Sequence, residues 1–283
     1  MYRVIDCRSG ALWGKRAFAE KRINFSAFLS KTSFLRCKSS GFKTSRWYPV
    51  CVARRACETI MASMTTRISE LKDAIDHLPP GSTLSLEDVT WKEYENLLSD
   101  LDDRPGIRVT YDQGKLEIVT TSRRHEKYER FIEMIILLMA EESGLTVESC
   151  GSATWKRQRD ARGTEPDCCF HIANAERVIG RDELDLDKDP PPDLVVEIDV
   201  TNQSSSKLGI YSGFRIPEVW RYIAKKRILV LFGLQGDSYV QIERSLSFPA
   251  LTATILGDFI ERSASQGQTR ALAAVREWLR SLH

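Results

Sequence analysis

A chain of 283 residues with 41 basic and 39 acidic side chains is long enough for one large domain with an extension, and too short for two full α/β domains to be the default. The net charge of +2 conceals an asymmetry, because thirteen basic and only three acidic residues fall in positions 1–60, leaving 28 basic against 36 acidic residues in the rest. The body is therefore acidic, so overall charge gives no reason to bind nucleic acid, and any such contact needs a local basic patch.

Residues 1–60 are rich in Arg, Lys, Ser, Ala and Phe and poor in acids, the composition of an organelle transit peptide. They contain no long apolar run, which argues against a secretory signal or membrane anchor, and no run of about 18 apolar residues follows, so no membrane partner is expected. The alternatives are a disordered tail or an untranslated upstream stretch, with Met61 or Met64 starting a cytoplasmic protein. Of seven cysteines, Cys7, Cys37, Cys51 and Cys57 lie in this extension. Cys150, Cys168 and Cys169 remain, with no Cys-x-x-Cys pair, so the chain reads as neither a disulfide scaffold nor a zinc ribbon. Buried, reduced thiols on or beside a strand are expected.

The body, residues 65–283, begins with a short helix over 65–77, closed by Pro79-Pro80-Gly81. Thr90-Trp91-Lys92-Glu93 is a capping box that starts a helix reaching about Leu101. Alternating residues 107–111 and 115–119 flank Asp112-Gln113-Gly114 and predict a β-hairpin. Ser122 caps a helix over 123–142, whose Tyr128, Phe131, Ile132, Ile135, Ile136 and Met139 repeat at helical spacing and which Gly144 ends. Strands follow near 145–150, 152–155 and 167–172, then a charged loop over 173–192 and a strand over 194–200. A short helix over 204–211, a meander over 218–223, 228–232 and 238–242, and helices over 252–263 and 268–282 complete the chain. The order is that of an α+β fold, a mixed α/β sheet flanked by helices. Leu272, Val275, Trp278 and Leu279 form a stripe on the last helix; core packing is its default use and a homodimer contact the alternative.

The chemistry gathers around two carboxylates. Side chains alternate along a strand, so Asp193, Val195, Glu197 and Asp199 share one face and Leu194, Val196 and Ile198 the other. A carboxylate in so apolar a strand needs a cation or hydrogen-bond partners, and an ion pair to a neighbouring arginine would also serve. Asp167 opens another strand after Glu165-Pro166, and if the two strands are neighbours Asp167 and Glu197 lie close together. Two such carboxylates, a main-chain carbonyl and waters make a site for Mg²⁺ or Mn²⁺. Lys207, ten residues beyond Glu197, can reach back to stabilise charge on a phosphate. The stretch Trp155-Lys156-Arg157-Gln158-Arg159-Asp160-Ala161-Arg162 is the clearest basic patch in the acidic body, and makes Lys156, Arg157, Arg159 and Arg162 candidates for nucleic-acid contact. His125 and Glu126, at an anion-favouring helix N-terminus, are accessory candidates, as are Glu165 and Asp199.

These segments, with Tyr111-Asp112-Gln113-Gly114-Lys115-Leu116-Glu117-Ile118, Gly209-Ile210-Tyr211 and Ile216-Pro217-Glu218-Val219-Trp220-Arg221-Tyr222, together resemble the Uma-type restriction endonuclease family, a branch of the PD-(D/E)XK nucleases common in cyanobacteria. The resemblance implies a restriction-endonuclease-like core with Asp167 and Glu197 as metal ligands on adjacent strands. The lysine expected two residues after the second acid is replaced by Asp199, and in this branch the basic group comes from the following helix, where Lys207 stands. A Mg²⁺-dependent endonuclease acting on DNA is the reading that follows, with structured RNA as another substrate. A catalytically silent relative that binds nucleic acid or a protein is the alternative. The cyanobacterial likeness favours a plastid over a mitochondrion as the destination of residues 1–60.

Overall fold

The computed structural model describes residues 3–5, 71–101, 104–200 and 204–282. Apart from Arg3–Ile5, the expected transit segment lies outside the described residues, as does the first part of the helix expected over 65–77, of which 71–76 are helical. Within the described residues two sheets form, where one was expected. The first takes the order β1-β2-β4-β3-β7-β6, from Arg3–Ile5 (β1), Thr83–Leu86 (β2), Ile107–Asp112 (β3), Lys115–Thr120 (β4), Trp155–Arg157 (β6) and Arg162–Thr164 (β7). The second runs β12-β11-β10-β9-β8-β5, from Glu148–Gly151 (β5), Cys168–His171 (β8), Leu194–Asp199 (β9), Glu218–Ile223 (β10), Ile228–Gln235 (β11) and Ser238–Ile242 (β12). It is mixed, since β9 and β10 are parallel and its other pairs antiparallel.

Local chemistry sets the helix ends. At α1 (Trp91–Leu101) the capping box closes as expected, with Glu93 Oε2 accepting from Thr90 N–H at 2.8 Å and Thr90 Oγ1 from Glu93 N–H at 3.3 Å. Ser122 caps α2 (Arg123–Ser143), and Gly144 ends it in the left-handed conformation, φ 65°, which glycine adopts without strain. A 3₁₀ turn over Ser204–Lys207 leads into α3 (Leu208–Phe214), and Ala253–Gln266 (α4) and Gln268–Arg280 (α5) close the chain.

The apolar face of β9 packs as alternation requires. Leu194, Val196 and Ile198 meet Phe131, Ile132 and Ile135 of α2, in a core that α4 and α5 complete with Phe259, Ile260, Val275 and Leu279. The stripe on the last helix thus packs into this core. Val195, on the other face of β9, packs on Tyr211 and Phe214 of α3. A separate core joins α1 to the first sheet, where Tyr94 stacks on Tyr111 with ring centroids 4.9 Å apart.

Sequence reading missed three of the described strands, Arg3–Ile5, Thr83–Leu86 and Arg162–Thr164. Thr83–Leu86 is only four residues long, and the basic stretch folds back on itself as the β6–β7 hairpin. Ala161 makes that reversal at φ 48°, a region few non-glycine residues enter and for which alanine carries no signal. The segment Glu165-Pro166-Asp167 then crosses from the first sheet to the second. No helix among the described residues is long and apolar enough to cross a membrane.

Candidate active site

That crossing is where the charged residues meet. The antiparallel register pairs Cys168 with Val196, and carried one residue further it sets Asp167 directly opposite Glu197. Both are buried, at 3% exposure each, and both line a cleft between the two sheets and the start of α2. Arg108 of β3, Glu117 of β4, His125 of α2 and Lys207 share its walls.

Each acid is held in place. Asp167 Oδ2 accepts from Ile198 N–H at 2.6 Å and lies 3.0 Å from His125 Nε2. Glu197 accepts from the Lys207 ammonium, at 3.0 Å on Oε1 and 3.1 Å on Oε2, and from the Tyr211 hydroxyl. Lys207 also donates to the Glu165 carbonyl at 3.2 Å. The 3₁₀ turn after β9 thus brings the lysine back over the strand, as the replacement at Asp199 requires. A buried pair of this kind contributes little net stability, because desolvation offsets its attraction. Its retention in a cleft points to use.

Electrostatics separates the two carboxyls. Burial would raise Asp167, but the His125 imidazole, Lys207 and the Ile198 N–H outweigh it and leave the group below its ordinary range. Glu197 goes the other way, pushed up to about 7 by burial, with the Asp167 charge adding to the rise and Lys207 opposing it. Burial alone would depress Lys207, yet the Glu197 and Asp167 charges raise it, so it stays an ammonium.

Two residues that sequence reading passed over complete the site. Arg108 Nη2 pairs with Glu129 Oε2 at 3.3 Å, and its Nε lies 3.8 Å from Asp167 Oδ1. Arg108 Nε and His125 Nδ1 are among the buried side-chain atoms of the described residues without a hydrogen-bond partner, and such atoms call for an explanation. The signals were present but faint: Arg108 interrupts the apolar residues of β3, and Glu129 sits one turn after His125 on the buried stripe of α2. Tyr211 had been noted only as part of a short motif.

The accessory candidates have local partners. Glu126 accepts from the Thr121 hydroxyl at 2.8 Å. The Glu165 carboxylate accepts from Val109 N–H and the Thr154 hydroxyl, both at 2.7 Å. Asp199 borders the cleft but pairs with Arg221 Nε at 2.6 Å, the neighbouring-strand arginine that alternation allowed for. The four basic candidates sit on the β6–β7 hairpin. Lys156 pairs with Glu95 at 3.6 Å, Arg159 with Asp187 at 3.4 Å and Arg162 with Asp112 at 2.9 Å. Arg157 is bound to Asp160 and to the Gly213 and Leu186 carbonyls.

A family model described as Uma2, "putative restriction endonuclease", matches residues 91–261, more than half of the chain. The chain belongs to the Uma2 family. Every residue of the cleft network described above falls inside the Uma2 match, and the family description is that of a "putative restriction endonuclease", a class of enzyme whose substrate is nucleic acid. The chain is also similar to a crystal structure described as a "putative nuclease belonging to DUF820" from Anabaena variabilis ATCC 29413, at 15% identity and a TM-score of 0.42, over 61% of this chain and 99% of that one. No curated protein matches it.

Proposed function

We propose that the cleft is the active site of a metal-dependent endonuclease that hydrolyses DNA phosphodiester bonds. The observation that carries this reading is the Lys207 ammonium clamped on Glu197 with Asp167 directly opposite. It unites two hard carboxylate ligands and one fixed cation, although the lysine comes from outside the strand.

The donor set fits Mg²⁺ or Mn²⁺. Among the described residues no group of three or more His, Cys, Asp and Glu side chains is placed to hold a metal. Mg²⁺ is commonly held by one or two carboxylates, with waters and substrate phosphate filling its remaining positions. Asp167 and Glu197 would hold it. When bound, such a cation polarises a phosphoryl oxygen and makes a coordinated water more acidic.

The chain's own residues do the rest. Lys207, permanently charged beside Glu197, stabilises the negative charge that builds on phosphorus in the transition state. Arg108 Nε faces Asp167 with no hydrogen bond of its own and can take a phosphate oxygen. His125 and the Ile198 N–H orient Asp167, and the Tyr211 hydroxyl orients Glu197. The exposed Arg123 and Arg124 follow Ser122 at the cleft wall, where the α2 N-terminus also favours an anion.

Incubating the purified protein with supercoiled plasmid and Mg²⁺ tests the reading. Nicked or linear product is expected, with none from Asp167→Ala. Intact plasmid with every divalent metal tried would overturn it. Binding without cleavage would instead indicate the silent relative, and cleavage confined to structured RNA would change the substrate.

A further inference from the structure

A second cluster of reactive side chains lies outside the cleft, at the edge of the second sheet. β5 is its last strand, paired antiparallel to β8, and the register slips between Ser149 and Gly151. Gly151, at φ 53°, takes the left-handed turn of this bulge. The slip gives Cys150 no partner of its own in the ladder. Its sulfur comes to rest 3.4 Å from His171 Nδ1.

Cys169 and His171 are two residues apart on β8 and share one face. Cys169 pairs across the ladder with Gly151, the residue after Cys150, and its thiol adjoins the Cys150 thiol. Trp155 Nε1 donates to the Cys169 sulfur at 3.2 Å, and that sulfur lies 3.3 Å from the Gly151 carbonyl oxygen, so its position is fixed. His171 is fully buried, and its Nε2 lies 3.2 Å from the Pro190 carbonyl oxygen. A carbonyl oxygen can only accept, so Nε2 must carry the proton there. In the neutral ring Nδ1 is then the bare nitrogen, facing Cys150.

We propose that Cys150, His171 and Cys169 form a peroxide-responsive dithiol, in which Cys150 is the thiol attacked, His171 its base and Cys169 the resolving partner. The arrangement of thiol, imidazole and orienting acceptor is that of an activated cysteine. Cys150 is partly exposed on an edge strand, open to a small oxidant, whereas Cys169 is fully buried. The Cys169 thiol, and after it the His171 imidazole, bring the Cys150 thiol down to about 5 against the opposing cost of its partial burial.

The chemistry takes two steps. The Cys150 proton passes to His171 Nδ1. The thiolate sulfur attacks one oxygen of hydrogen peroxide; the O–O bond breaks, an S–O bond forms, and the departing hydroxide takes a proton from His171 and leaves as water. The Cys169 sulfur then attacks the Cys150 sulfur; the S–O bond breaks, an S–S bond forms, and the Cys169 proton leaves with the hydroxyl as a second water. Two thiols are oxidised by two electrons and one peroxide is reduced to two waters.

Peptide mapping of the folded, full-length protein after brief exposure to hydrogen peroxide tests this directly. A peptide linking Cys150 to Cys169 is expected, and reductant should remove it. The rate at which peroxide oxidises Cys150 should change little between about pH 6 and 8, where that of free cysteine climbs with its thiolate fraction. In Cys169→Ser the reaction should stop at a Cys150 sulfenic acid that dimedone traps, and in His171→Gln the rate of the first step should climb with pH as the oxidation of free cysteine does. A Cys150 oxidation rate that climbs with pH as that of free cysteine does, or a disulfide joining any other pair, would overturn the proposal. Both of those measurements use the unaltered protein, so a variant that fails to fold does not affect them.

Discussion

The cleft and the β6–β7 hairpin both carry a dense set of charges, and they use them differently. In the cleft Asp167, Glu197, Lys207, His125 and Arg108 are buried against one another, and two of their nitrogens have no hydrogen-bond partner. On the hairpin Lys156, Arg157, Arg159 and Arg162 are each matched by an acid, and Arg157 by two carbonyls as well, although its Nε is also buried without a hydrogen-bond partner. A count of charges along the sequence ranks the hairpin first. Burial ranks the cleft first, because charges gathered out of water are costly and persist where they are used.

The widest gap between the two regions should appear at Lys207. Lys207→Met keeps the length of the side chain and removes the ammonium. Losing a group aimed at transition-state charge costs about 10²–10³-fold in rate, and plasmid nicking by this variant should fall by that much while DNA affinity changes little. A variant that nicks at the wild-type rate would reduce the lysine to a structural partner of Glu197 and leave the two acids to carry the chemistry.

The hairpin has its own critical position, and it is a neutral one. The Tyr94 ring and hydroxyl lie where a Gly163 Cβ would stand, so Gly163→Ala forces a collision with the aromatic stack of α1 and β3. Overpacking of this kind costs about 1–3 kcal/mol, readable as a lower urea midpoint at unchanged slope. Equal midpoints would mean that the hairpin can lift off the core, and that its charges are freer than their partners suggest.

Why the cleft was only partly legible follows from the same physics. Asp167, Glu197 and Lys207 could be picked out because acids in an apolar strand break its pattern and because the family motif surrounds them. The helices could be placed because their stripes and caps are local, as at Ser122 and Thr90. Arg108 could not, because its partner Glu129 is 21 residues away and only the packing of β3 beside α2 joins them. The return strand of the hairpin was missed for a similar reason: the turn at Ala161 is imposed by pairing of β7 with both β3 and β6, which no single residue announces.

Glu129 sharpens the comparison through pH. Burial lifts its carboxyl from the ordinary 4.5 to about 7, with Arg108 opposing the rise. Between those values the folded protein holds a proton that the unfolded chain has released, so stability falls as pH rises through the window. The slope is at most about 1.4 kcal/mol per pH unit. Glu129→Gln, which cannot titrate, should flatten it, measured as the melting temperature across that range. An unchanged slope would place the titration elsewhere in the cleft, with His125 and Glu197 the next groups to test.

The smallest effects belong to the exposed hairpin charges. Arg159 is 67% exposed and Lys156 42% at the side chain, where an ion pair is screened and contributes roughly 0–1 kcal/mol. Removing both, as Lys156→Ala with Arg159→Ala, should leave stability within about 1 kcal/mol of wild type. The effect on DNA binding separates two uses of a basic stretch. If Glu95 and Asp187 already occupy these side chains, affinity and its salt dependence stay put. If DNA displaces the acids, affinity drops uniformly across sequences and the salt slope falls by about one for each lost phosphate contact. That second outcome would make the hairpin a docking arm for the cleft, its paired acids a mask that the substrate removes.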